Sequence, residues 1–117
     1  MPIPPIQLVD ADLLYRRLAL SGHFAPDGNV ASNAFKRDGR PDPEISVDLA
    51  RLSTVEASLA RAGRPGFCLG ELKVGEVRAL GLNVTHEPTD ENPSHTCIRG
   101  NTRRETCTKL AGITRRV

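Results

Sequence analysis

Along residues 45–52 apolar and polar side chains alternate, with Ile45, Val47 and Leu49 on one side and Ser46, Asp48 and Ala50 on the other. A period of two marks a half-buried strand, and this is the clearest one in the chain. Residues 67–72 (Phe-Cys-Leu-Gly-Glu-Leu), 82–86 (Leu-Asn-Val-Thr-His) and 95–99 (His-Thr-Cys-Ile-Arg) read as three further strands. The last two, joined by the turn-rich residues 87–93, suit a long-looped hairpin over 82–99.

Helical signals lie between the strands. Ser53 with Glu56 three residues on is a capping-box pattern, opening a helix through Leu59 that stops at Gly63 before Pro65. A short helix over 74–80 ends at Gly81, and Thr102 with Glu105 forms a second capping-box pattern for a helix to about Gly112. Residues 10–20 are read as a helix capped by Asp10, with Leu14 and Leu18 at helical spacing. The alternative for that stretch is a strand with Leu14 and Tyr15 on opposite faces.

Residues 1–8 hold three prolines and are expected to form an extended arm. Residues 21–44 are crowded with turn formers, including Pro26-Asp27-Gly28-Asn29 and Asp38-Gly39-Arg40-Pro41. Between those turns, residues 30–35 have room for a short strand or one helical turn, and the whole stretch is expected to be the most mobile of the domain. The mixed order of elements predicts an α+β fold: a small mixed or antiparallel sheet of about four strands with two to four short helices. At 117 residues, residues 9–117 are expected to form one compact domain.

Composition sharpens this picture in two ways. Aromatics are limited to Tyr15, Phe24, Phe35 and Phe67, so the core must be built mainly from Leu, Val, Ile and Ala. Three cysteines, Cys68, Cys97 and Cys107, and the lack of a basic-then-apolar leader suit reduced thiols in a cytoplasmic protein. One disulfide with a leftover thiol is the alternative. No apolar run is long enough to span a membrane, and no membrane partner is expected.

The net charge of +2 is unevenly placed. Arg99, Arg103, Arg104, Lys109, Arg115 and Arg116 face only Glu105 in the last 19 residues. Such a segment can steer nucleic acid or an acidic partner, whereas the plainer reading is a solvated helix face. The last aromatic is Phe67, so nothing near this tail offers a stacking platform for single-stranded bases.

Phosphate loops, dinucleotide fingerprints, HExxH, CxxC and GxSxG motifs are all missing from the sequence. His86, His95, Cys97 and Cys107 are of zinc-binding types, but their spacing lacks the paired ligands of structural zinc sites, and no metal or other cofactor is expected. Asn92-Pro93-Ser94-His95 places a histidine at the edge of a proline-bounded loop. The imidazole is available there for a ligand or partner, the plainer reading being Asn92 fixing the turn and His95 bonding a backbone carbonyl. His23, Asn33, Lys36, Arg37, Ser46 and Asp48 flank the best strand, where Lys36 and Arg37 suit an anion as well as bulk water. Asn92, His95, His86, Ser46 and Asp48 are therefore the candidate binding residues.

Ala34-Phe35-Lys36, Ser46-Val47-Asp48-Leu49, Val77-Arg78-Ala79-Leu80-Gly81-Leu82 and Asn92-Pro93-Ser94-His95, taken as a set, resemble a group of small, uncharacterised bacterial proteins. In that group an SVDL-like strand precedes an RxLGL segment and an NPxH loop. The similarity covers residues from about 12 to 110 and implies a bacterial source and a single domain, with no activity attached.

The leading expectation is a small accessory protein that binds a larger protein partner. The first alternative is a compact enzyme or nucleotide-binding protein with His23, Ser46, Asp48, His86 and His95 around one cleft. The second is nucleic-acid binding through the basic C-terminal segment.

Overall fold

The computed structural model describes residues 3–117. Residues 3–8 of the arm carry no regular secondary structure; the first two residues of that expected arm lie outside the described part. The first element is a strand, β1 (Leu13–Ala19), where a helix was the favoured reading. Leu14 and Leu18, both fully buried, are four residues apart, a spacing that puts them on one face of a strand as well as of a helix. What hides the period of two is Arg16, which points inward between them. Its guanidinium is satisfied there by Ala34 O, at 3.1 and 2.8 Å, and by Ser46 O at 2.8 Å.

Residues 21–44 carry more structure than a mobile loop. A 3₁₀ turn over Ser32–Phe35 buries Ala34 and Phe35. A small hairpin follows, β2 (Lys36–Arg37) with β3 (Arg40–Pro41). Asp38 and Gly39 turn it with φ of 54° and 77°, the left-handed pair that a two-residue hairpin requires. The strong alternating strand is β4 (Glu44–Leu49).

Helix α1 (Val55–Ala60) starts one residue later than the capping box suggests. Thr54 rather than Ser53 accepts from Ala57 N–H, at 3.0 Å, because the Ser53 hydroxyl lies 2.7 Å from Ser58 Oγ. Strand β5 (Phe67–Lys73) and helix α2 (Val74–Ala79) follow directly on one another. Strands β6 (Asn83–His86) and β7 (His95–Arg99) form the expected hairpin.

Helix α3 (Arg104–Ile113) also lacks its expected cap. Arg103 occupies the N-cap position without a side-chain bond, and the Thr102 hydroxyl donates to Asp42 O instead, at 3.0 Å. The chain closes with a two-residue strand, β8 (Arg115–Arg116).

Six strands, not four, make the main sheet, in the order β6-β7-β4-β1-β5-β8. Every neighbouring pair is antiparallel. The two extra strands are β1, masked by Arg16, and β8, too short to carry a pattern.

One face of the sheet holds the apolar core. Leu14, Leu18, Ile45, Val47, Leu49, Leu72 and Ile98 meet Phe35, Val74, Val77, Leu110 and the Leu8 side chain of the arm. The opposite face is partly covered by α1, which packs on β1 and β5. No helix among the described residues is long and apolar enough to cross a membrane.

Candidate functional site

The outer face of the sheet takes the polar positions of each strand by simple alternation. Register sets Tyr15 opposite Asp48, and Asp48 and Ser46 opposite His95 and Cys97. Arg17, two residues beyond Tyr15, therefore rises on the same face as Asp48.

Asp48 is fully buried, and three side chains meet its carboxylate. Arg17 Nη1 lies 2.9 Å from its Oδ2, Arg61 Nη1 lies 3.3 Å from the same oxygen, and Asn92 Nδ2 donates to Oδ1 at 2.9 Å. Burial pushes the Asp48 carboxyl up, but hydrogen bonds from Asn92 and Ser58 and the charges of Arg17 and Arg61 outweigh it, leaving the carboxyl below its usual range.

Asn92 Oδ1 in turn accepts from Ser94 N–H, at 3.1 Å, and from the Ser94 hydroxyl, at 2.6 Å. Arg61 also reaches Ser53 Oγ at 3.1 Å and Ser94 Oγ at 3.4 Å. No buried side-chain nitrogen or oxygen among the described residues is left without a partner. The network fastens α1 and the Asn92 loop onto the sheet, through Arg61 and Asn92 on Asp48.

The histidines are divided between the faces. His95 is half-buried at the start of β7, with Nδ1 3.0 Å from Glu87 O. His86 points to the other face and is 1% exposed. Its Nδ1 accepts from Ile6 N–H at 3.0 Å, so Nε2 must carry the proton that bonds Pro93 O at 2.7 Å. That tautomer pins the arm and the loop to the same ring.

His23 lies beyond the far end of β1, where Nδ1 accepts from Ala19 N–H at 2.9 Å. The structure thus does not gather His23, Ser46, Asp48, His86 and His95 around one cleft. Ser46, Asp48 and His95 share a face, His86 is under the opposite one, and His23 is apart. Cys97 and Cys107 are likewise separated, Cys107 lying in the core with Sγ donating to Phe35 O at 3.4 Å. No group of three or more metal-ligating side chains occurs among the described residues.

Burial, then the charge of Arg16, holds the His23 imidazole below its ordinary 6.5. A histidine with a lowered folded value contributes stability that is complete above the unfolded value and is lost as the pH falls toward the folded one. Urea unfolding should accordingly show stability declining as the pH drops from 7 to 5. The slope should be shallower in His23→Gln, and equal slopes for the two proteins contradict the assignment.

The basic C-terminal residues do not form one patch. Arg99 pairs with Glu87, through Nη1 to Oε2 and through Nη2 to Oε1 at 2.9 Å. Arg115 and Arg116 sit in β8 at the other side of the sheet, with β4, β1 and β5 between β7 and β8. Arg103, Arg104 and Lys109 ride on α3 or at its start.

A cleft of about 590 Å³ lies beside β6, lined by Ile3, Pro5, Thr85, His86, Glu87, Pro88, Thr89 and His95. Thr85 and His86 leave opposite faces of the strand, so a cavity that touches both wraps the strand's edge. The sequence pointed to His86 and His95, but not to Thr85 or to the arm residues that wall the cleft.

Backbone parity completes the site. Glu87 N–H donates to His95 O at 2.8 Å. By antiparallel alternation Asn83 and Thr85 then bond inward to β7, while Val84 and His86 turn their N–H and C=O groups outward. Those outward groups have no backbone partner among the described residues. Pro5, on the cleft wall, lacks an N–H group and so does not donate to the edge. The chain matches no protein-family model, no curated protein and no solved structure.

Proposed function

We propose that the protein is a small interaction module that takes up an extended segment of a larger protein partner along the edge of β6. The observation that carries this reading is the cleft that wraps that edge beside the outward N–H and C=O groups of Val84 and His86. An added strand gains affinity from main-chain hydrogen bonds and specificity from pockets for alternate side chains. At β6 the main-chain groups of Val84 and His86 lack backbone partners among the described residues and the cleft lies beside them, and an incoming segment must displace what covers these two residues, 8% and 1% exposed. The Glu87 carboxylate on the cleft wall is neutralised by Arg99, which suits apolar side chains of the incoming segment.

The test is an array of octapeptides alternating apolar and polar residues, read by fluorescence anisotropy against the protein and its Thr85→Lys variant. Thr85 is exposed and on the cleft wall, so a lysine there blocks the edge and leaves the core untouched. Binding weakened at least tenfold by Thr85→Lys, with an unchanged melting temperature, is the expected result. Equal binding by both proteins, or none by the wild type, removes the reading.

A further inference from the structure

The structure regroups the basic residues of the chain. The β2–β3 hairpin packs against α3, with β3 in contact with the helix. The Thr102 hydroxyl donates to Asp42 O just before the helix starts, and Cys107 Sγ donates to Phe35 O, one residue before Lys36, at 3.4 Å. Lys36, Arg37 and Arg40 of the hairpin are thereby brought beside Arg103 and Arg104. These two groups are more than sixty residues apart in sequence.

Of the five, Arg37 pairs with Asp42 at 3.4 Å. Lys36, Arg40, Arg103 and Arg104 have no ion pair among the described residues. Arg40, Arg103 and Arg104 are exposed and Lys36 is half-buried. The exposed acids in these segments are Asp38 and Glu105, so positive charge prevails.

Nothing in the folding of α3 calls for Arg103 and Arg104 where they stand. Cations at a helix N-terminus oppose the macrodipole and cost stability there. A local rule broken without a structural return points to a use outside the fold.

We infer that this face, built from Lys36, Arg40, Arg103 and Arg104, binds the sugar-phosphate backbone of a nucleic-acid duplex. Phosphate is the chemistry that guanidinium groups recognise best, and four unpaired cations on two elements suit a regular array of phosphates. A single strand is disfavoured because no exposed aromatic lies in the segments that build this face. Phe35, the aromatic nearest this face in sequence, is fully buried, and Phe24 and Phe67 lie beneath Arg116 and Arg64. This face is separate from the β6 edge, and it stands whether or not that edge binds a peptide.

The experiment titrates the full chain into a fluorescein-labelled 20-base-pair DNA duplex over a range of salt, with a poly-glutamate peptide in parallel. Duplex binding should weaken with salt with a log–log slope of about −3.5, as about four neutralised phosphates give on B-DNA. The triple variant Arg40→Glu/Arg103→Glu/Arg104→Glu should bind at least tenfold more weakly at low salt, with a shallower slope. Arg115→Glu/Arg116→Glu should bind as the wild type does. Should the triple glutamate variant fail to melt cooperatively, the triple glutamine variant takes its place with the same expectation. No duplex binding at low salt overturns the inference. So does an equal loss in the β8 variant, or poly-glutamate failing to be at least tenfold weaker than the duplex.

Discussion

Replacing Phe35 by alanine should lower the unfolding free energy by about 4 kcal/mol, the central value for deleting a buried aromatic side chain. Phe35 is the largest fully buried side chain of the core. It seats the 3₁₀ turn Ser32–Phe35 against α3, with the Arg16 guanidinium 5.8 Å from its ring centre. Its carbonyl accepts from Cys107 Sγ and, at 3.2 Å, from Asp42 N–H. Urea denaturation monitored by far-ultraviolet circular dichroism measures the loss. A loss under about 1 kcal/mol, the range of tolerated substitutions, contradicts a core role for residues 32–35.

Asp48→Ala should cost about 3 kcal/mol, the lower end for breaking a buried ion pair. The lower end applies because the Arg17 and Arg61 side chains are 23% and 27% exposed, so water partly screens the charges left behind. Asn92 Nδ2 would lose its acceptor as well. The same carboxyl adds an acid limb to stability. Its folded value is lowered, so its contribution is complete above the ordinary 3.8 and is lost as the pH falls through the folded value. Wild-type stability should therefore fall more steeply below pH 4 than that of Asp48→Ala. A double-mutant cycle with Arg17→Met separates the pair from the rest of the network. Additive losses in that cycle mean that Arg17 and Asp48 do not act together.

The sequence patterns made legible what is local. The period of two in β4, the 82–99 hairpin, the helix stop at Gly81 and the α+β class are all present in the structure, while α1 ends at Ala60, short of Gly63. What stayed hidden is non-local. An inward arginine satisfied by carbonyls 18 and 30 residues away disguises β1 as a helix. Two capping boxes misplace their starts because Ser53 and Thr102 spend their hydroxyls on tertiary partners.

The candidate residues follow the same division. Asn92, His95 and Asp48 are recognisable as a polar group near one loop, and Asn92 and Asp48 do meet. Arg17 and Arg61, which complete that network, are ordinary charges until register brings them in. Lys36 and Arg40 become neighbours of Arg103 and Arg104 only when the hairpin packs on α3.

Strand addition at the β6 edge is tested most directly by residue-resolved amide hydrogen exchange, with and without the tightest octapeptide of the array. In the free protein the amides of Val84 and His86, buried but without a backbone partner among the described residues, should exchange faster than those of Asn83 and Thr85, which bond to β7. Adding the peptide should slow Val84 and His86 at least tenfold and leave β1 and β5 unchanged. Val84 and His86 exchanging as slowly as Asn83 and Thr85 in the free protein, or unaltered by a bound peptide, would contradict strand addition at this edge.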